Sequence, residues 1–133
     1  MKVVIIGGGN LGFYLSKNML DRDYEVNLVE SNKTRCMELA NKLDAEVIYG
    51  DGTELEVLTR AGVGRADCVI CVTGKDQDNL VACQIAKKKF KVNIVIARAN
   101  NPRNLEALRR LGADNAMSTT EIITRMIEQE VDS

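Results

Sequence analysis

The feature that most constrains the fold of this chain is Gly7-Gly8-Gly9-Asn10-Leu11-Gly12, a G-x-G-x-x-G run. It stands between the apolar run Val3-Val4-Ile5-Ile6 and an amphipathic stretch carrying Leu11, Leu15 and Met19. A strand, this turn and a helix in succession leave the backbone few choices. Gly7 permits the tight turn, Gly9 lets main chain approach a diphosphate, and Gly12 lets the helix pack closely on the strand. The unpaired amides around Asn10 and Leu11, at the positive end of that helix, suit phosphate. Glycines at such a turn can also serve the turn alone, so a second residue is needed to give the motif weight. Glu30 supplies it at the end of the next apolar run, Val26-Asn27-Leu28-Val29, about 20 residues past the turn. A carboxylate there accepts the ribose hydroxyls of an adenosine and repels a 2'-phosphate, which favours NAD(H) over NADP.

The rest of the chain repeats the opening pattern. Val47-Ile48-Tyr49, Cys68 to Val72 and Ile94-Val95-Ile96-Ala97 are further short apolar runs, and continuous Val and Ile imply strands covered on both faces. Between them lie helical patterns: Cys36, Leu39, Ala40 and Leu43 after a cap at Ser31 or Asn32, then Leu80, Cys83, Lys87 and Phe90 from about Asp76. Leu105, Leu108 and Leu111 follow Asn101-Pro102 and stop at Gly112. Strands alternating with helices predict an α/β fold, a three-layer Rossmann fold with a doubly wound, mainly parallel sheet in order 3-2-1-4-5. A short sixth strand near Asn115 to Met117 is expected outside it. At 133 residues the chain is one domain.

Residues 1–118 are expected to form this domain and residues 119–133 a final helix, capped by Thr119 or Thr120 with Glu121 in its first turn. Ile122, Ile123, Met126, Ile127 and Val131 give that helix a broad apolar face. The face either folds onto its own sheet or meets a second subunit, and the second is favoured.

Eighteen Lys and Arg against nineteen Asp and Glu leave a net charge of -1, with no positive field to gather nucleic acid or anionic lipid. The basic run Lys87-Lys88-Lys89 with Lys91 is expected at a helix end, facing water. No apolar run approaches the roughly 20 residues of a membrane span, and the first residues enter a strand without a signal pattern, so a cytoplasmic domain is expected. Cys68-x-x-Cys71 falls within a strand, where residues three apart point to opposite faces. Core packing is therefore expected for these thiols, not a shared metal.

Strand ends on one edge of such a sheet line a common crevice. Asp51, in Gly50-Asp51-Gly52-Thr53, either approaches an adenine there or closes an Asx turn as a helix cap. Thr73-Gly74 and Arg98 open onto the same edge, and Arg98 suits a phosphate or a neighbouring carboxylate. Against these binding groups stands an absence of acid-base chemistry. The sequence has no His, and Tyr14, Tyr24 and Tyr49 are followed four residues later by Asn18, Leu28 and Thr53, so no Tyr-x-x-x-Lys pair exists. No second lobe encloses a substrate. A nucleotide sensor is expected rather than an enzyme. The rival classes are an NAD-dependent oxidoreductase whose site another chain completes, and an assembly module with an empty site.

These elements together resemble the N-terminal nucleotide-binding domain of the RCK family, also called KTN or TrkA-N, regulators of potassium channels and transporters. The resemblance rests on Val3 to Gly12, the strand ending in Glu30, Gly50-Asp51-Gly52-Thr53, Ala61-Gly62 before Ala66-Asp67, and Val72-Thr73-Gly74. Asp76 with Asn79, Ala97-Arg98-Ala99, and Leu108-x-x-Leu111-Gly112-Ala113-Asp114 complete it. It implies Gly7, Gly9, Asn10, Leu11 and Gly12 around the phosphates, Glu30 on the ribose, and Asp51 with Thr53 near the adenosine. Thr73, Gly74, Asn79 and Arg98 would line the remainder. The implied cofactor is NAD(H), alternatively ADP or ATP, and the implied partners are a second copy, as a homodimer or larger ring, and a membrane potassium channel or transporter. Some relatives carry a basic residue at the position of Asn10, suited to a terminal phosphate; Asn10 argues against a strong ATP preference. Many relatives continue past this point into a smaller regulatory lobe.

Overall fold

Runs of β-branched residues with no polar alternation can be satisfied only inside a layered fold, and the chain uses them that way. The computed structural model describes residues 1–133. Its strands are β1 (Lys2–Ile6), β2 (Glu25–Glu30), β3 (Glu46–Tyr49), β4 (Cys68–Cys71), β5 (Ile94–Ala99) and β6 (Asn115–Ser118). All pair in parallel, in the order β3-β2-β1-β4-β5-β6, so the expected Rossmann sheet and its outer sixth strand are both present. The helices are α1 (Asn10–Asp21), α2 (Lys33–Lys42), α3 (Leu55–Arg60), α4 (Asp76–Gln84), α5 (Leu105–Leu111) and α6 (Thr119–Asp132).

Alternation along β1 divides the core in two. Val3 and Ile5 join Leu28, Cys68 and Ile70 beneath α1 and α2, where Leu39 and Leu43 are buried. Val4 and Ile6 join Val69, Cys71 and Val95 on the other face, covered by Val57 and Leu58 of α3, Ala82 and Cys83 of α4, and Leu108 of α5. Cys68 and Cys71 thus sit in different cores, and all four cysteines are free and buried. Burial pushes the Cys71 thiol well up and the Cys83 thiol, helped by the charge of Asp114, up to about 11. Winding reverses between β1 and β4, which opens a crevice at the carboxyl ends of the strands.

Three local expectations are corrected. The helix from Asp76 does not continue as an α-helix to Phe90; after Gln84 it widens into a π turn over Ile85–Lys89. Lys87 does not face water alone. Its Nζ donates to the carbonyls of Val92 and Asn93 and pairs with Asp114 at 2.9 Å, tying the helix end to the start of β5, while Lys88 and Lys89 stay exposed. The final helix is capped not by Thr119 or Thr120 but by Ser118, whose hydroxyl accepts from the Glu121 amide at 3.2 Å. That helix buries no residue, so its apolar face does not fold onto its own sheet.

Candidate functional site

The crevice has a volume of about 580 Å³, within the usual range for small-molecule sites. Its floor is the glycine turn. Gly7 adopts φ +115°, a conformation that side chains resist, and a Cβ there would meet Val72 and Thr73 backbone at 2.8 Å. Gly12 is closed off in another way: a Cβ would lie 1.8 Å from the Gly7 carbonyl oxygen, so α1 rests directly on the turn. Gly9 is the opposite case, since nothing lies within 4 Å of a Cβ built on it. The Gly9 amide donates to no protein acceptor, and the first bond of α1 runs from the Phe13 amide to the Gly9 carbonyl at 2.9 Å. The amides of the first turn before Phe13 therefore have no intrahelical partner, and no acidic side chain occupies that turn.

Glu30 flanks this floor from the end of β2. Its Oε1 accepts from the Gly8 amide and its Oε2 from the Asn32 amide, both at 2.8 Å. A carboxylate has about four lone-pair sites, so each oxygen keeps acceptor capacity for a further donor. Asn32, not Ser31, caps α2, its Oδ1 accepting from the Arg35 amide at 2.9 Å. Arg35 then reaches back, and its Nε donates to the Gly8 carbonyl at 2.7 Å.

Asp51 reaches the crevice wall from the end of β3. Its Oδ1 accepts from the Thr53 hydroxyl at 2.7 Å and the Thr53 amide at 2.9 Å, and these bonds hold the carboxyl below its ordinary range. The Asx turn forms, and Asp51 also lines the crevice. It does not cap α3, where Glu54 takes that position without a side-chain bond.

The far wall comes from the ends of β4 and β5. Thr73, Gly74, Lys75, Asp78 and Arg98 line it, and Gly74, like Gly9, leaves open space at its Cβ position. Arg98 has a buried Nε with no hydrogen-bond partner, an unusual state for a guanidinium. Behind the wall, Asn79 is fully buried. Its Nδ2 donates to the carbonyls of Thr73 and Arg98, and its Oδ1 accepts from the Thr73 amide and hydroxyl. Asp76 completes the brace by accepting from the Asn100 and Asn101 amides and the Asn100 and Asn104 side chains.

Gly7, Gly9, Asn10, Leu11, Glu30, Asp51, Thr73, Gly74 and Arg98 are brought together around one cavity. Gly12, Thr53 and Asn79 are not on its wall; they shape the turn, the Asp51 loop and the far edge from behind. Gly8, Ser31, Lys75 and Asp78 also line it, although nothing in the sequence assigned them a binding role. The donor set fits a nucleotide diphosphate: unpaired amides beside open space, Arg98 on the far wall, and a carboxylate suited to sugar hydroxyls at the rim.

Comparison with known proteins bears on this geometry. The family model described as the TrkA-N domain matches residues 3–119. The chain is 35% identical over 129 residues to the Trk system potassium uptake protein TrkA homolog of Methanothermobacter thermautotrophicus, covering 97% of this chain and 59% of that protein. It therefore spans about three-fifths of that relative's length. The structure of the GsuK channel bound to NAD superposes with a TM-score of 0.85 at 25% identity, over 94% of this chain and 22% of the channel chain. The TrkA-N domain of the inner membrane protein ybaL from Escherichia coli matches in fold, with a TM-score of 0.89 at 20% identity over 96% of this chain and 94% of that one.

Proposed function

Because the chain belongs to the TrkA-N domain family, we propose that it is a regulatory nucleotide-binding domain of a potassium transport system, taking NAD(H) in the crevice at the sheet edge. The observation that carries this function is the unpaired Gly9 amide beside open space, with Glu30 at the adjoining rim. Gly7, Gly9, Asn10, Leu11 and Gly12 build and present the amides that hold the phosphates. Glu30 takes the ribose hydroxyls, Asp51 with its partner Thr53 borders the adenosine, and Thr73, Gly74 and Arg98, braced by Asn79, close the far side. Arg98 brings a cation to the wall that faces the bound diphosphate. ADP or ATP shares the adenosine end and is the alternative ligand; the neutral Asn10 offers no positive charge to a third phosphate.

No helix of the chain is long and apolar enough to cross a membrane. Potassium movement is the work of a membrane partner on whose cytoplasmic side this domain acts, a reading supported by the uptake role named for the Methanothermobacter thermautotrophicus relative. Residues 119–133 serve as a subunit contact between two copies, built on residues 1–118. The role is regulatory, a reading supported by the potassium uptake protein that matches nearly all of this chain.

Calorimetry with NAD and ADP tests the site. Glu30→Ala is expected to weaken NAD binding at least tenfold, about 1.4 kcal/mol, while far-UV circular dichroism stays native. Unchanged affinity would remove Glu30 from the ribose. Absence of binding to the unaltered protein would remove the nucleotide function.

A further inference from the structure

Arg35 has no place on the crevice wall, yet it contacts the turn that forms the floor. Gly8 is held from both ends: its amide donates to Glu30 Oε1 at 2.8 Å, and its carbonyl accepts from Arg35 Nε at 2.7 Å. The peptide joining Gly8 to Gly9 is trans, so its carbonyl and its amide point in opposite directions. With the carbonyl turned toward Arg35 on α2, the Gly9 N–H is turned away from α2. This plane, like that between Gly7 and Gly8, is flanked by glycine on both sides, so side-chain sterics restrain it little. The bond from Arg35 is the one side-chain hydrogen bond made to this plane. Arg35 is itself fixed, its NH1 group pairing with Glu38 at 3.0 Å and its guanidinium lying 6.0 Å from the Phe13 ring centre.

We propose that Arg35 is a positioning residue for the phosphate subsite, holding the Gly8 carbonyl so that the Gly9 amide projects into the crevice ready for an anionic oxygen. The proposal rests on the crevice being a nucleotide site. It predicts a loss confined to ligands that carry phosphate. A charge effect would behave differently: lysine would replace arginine, because long-range attraction to phosphate needs only a cation, whereas donation from Nε in a fixed plane needs the guanidinium.

The test uses the full chain, with amide-resolved NMR titrations of adenosine, ADP and NAD into the unaltered protein, Arg35→Met and Arg35→Lys. Methionine keeps the apolar stem, and a native amide spectrum checks that each variant folds. Both variants are expected to bind ADP and NAD about tenfold more weakly while adenosine affinity changes less than twofold, and the Gly9 amide resonance should move in the ligand-free variants. ADP and NAD affinities within twofold of the unaltered protein would overturn the proposal. So would parallel loss of adenosine binding, or full rescue by lysine. If the unaltered protein binds none of the three, the nucleotide function fails by itself, and an unmoved Gly9 resonance in Arg35→Met separately overturns the positioning of the amide.

Discussion

The glycines of the turn look interchangeable in the sequence and do different work in the structure. At Gly9, φ is -71° and a methyl group would enter open space, so Gly9→Ala should leave the melting temperature within about 2 °C and lower nucleotide affinity more than tenfold by occupying the phosphate position. Gly12→Ala should do the reverse. Alanine is better than glycine inside a helix by about 1 kcal/mol, but a Cβ 1.8 Å from the Gly7 carbonyl oxygen forces backbone apart, which costs about 3 kcal/mol or more. Net destabilisation, read by thermal or urea unfolding, is the expected result. The motif's spacing disclosed which residues approach the crevice because strand ends and turn glycines are fixed by local chain geometry. It could not disclose that Asn79 is consumed by four backbone and hydroxyl bonds, since that outcome depends on which polar groups meet in three dimensions. Arg35 was illegible for the same reason: its partner carbonyl lies 27 residues away in sequence.

At the scale of elements, α4 acts as a bracket between the ends of β4 and β5. Burial alone would raise the Asp76 carboxyl, but bonds from the Asn100 and Asn101 amides and the Asn104 and Asn100 side chains outweigh it and hold the pKa below the ordinary 3.8. A folded-state pKa below the unfolded one contributes stability above the unfolded value and loses it as pH falls through the folded value. Asp76→Ala should therefore cost about 1–3 kcal/mol at pH 7, and the difference from the unaltered protein should shrink at pH below about 3.8. Urea unfolding at pH 7 and pH 3 reads both; a constant difference would contradict the bracket's dependence on charge. The strands were legible because uninterrupted Val and Ile admit few other placements, and so was the stop of α5 at Gly112, which adopts φ +134°. The π turn after Gln84 was not, because an apolar period continues through it and only the reach of Lys87 to Val92, Asn93 and Asp114 marks the change.

For the whole molecule the largest uncovered apolar surface is that of α6. Ile122, Ile123, Met126, Ile127 and Val131 are between 41% and 77% exposed, on a helix that touches its own domain chiefly through β6. A helix of 14 residues is marginal in water without a surface to cover its apolar side. With a second copy as that surface, Met126→Glu combined with Ile127→Glu should convert a dimer to a monomer in sedimentation equilibrium and leave NAD affinity within about twofold. A monomeric unaltered protein would exclude the contact. The register of the last two strands places Arg98 opposite Met117 and Ala99 opposite Ser118, the residue that caps α6. No slack loop separates that guanidinium from the root of the terminal helix, only one rung of a ladder. Whatever shifts the end of β5 therefore meets the base of α6 through backbone hydrogen bonds, not through a flexible connection.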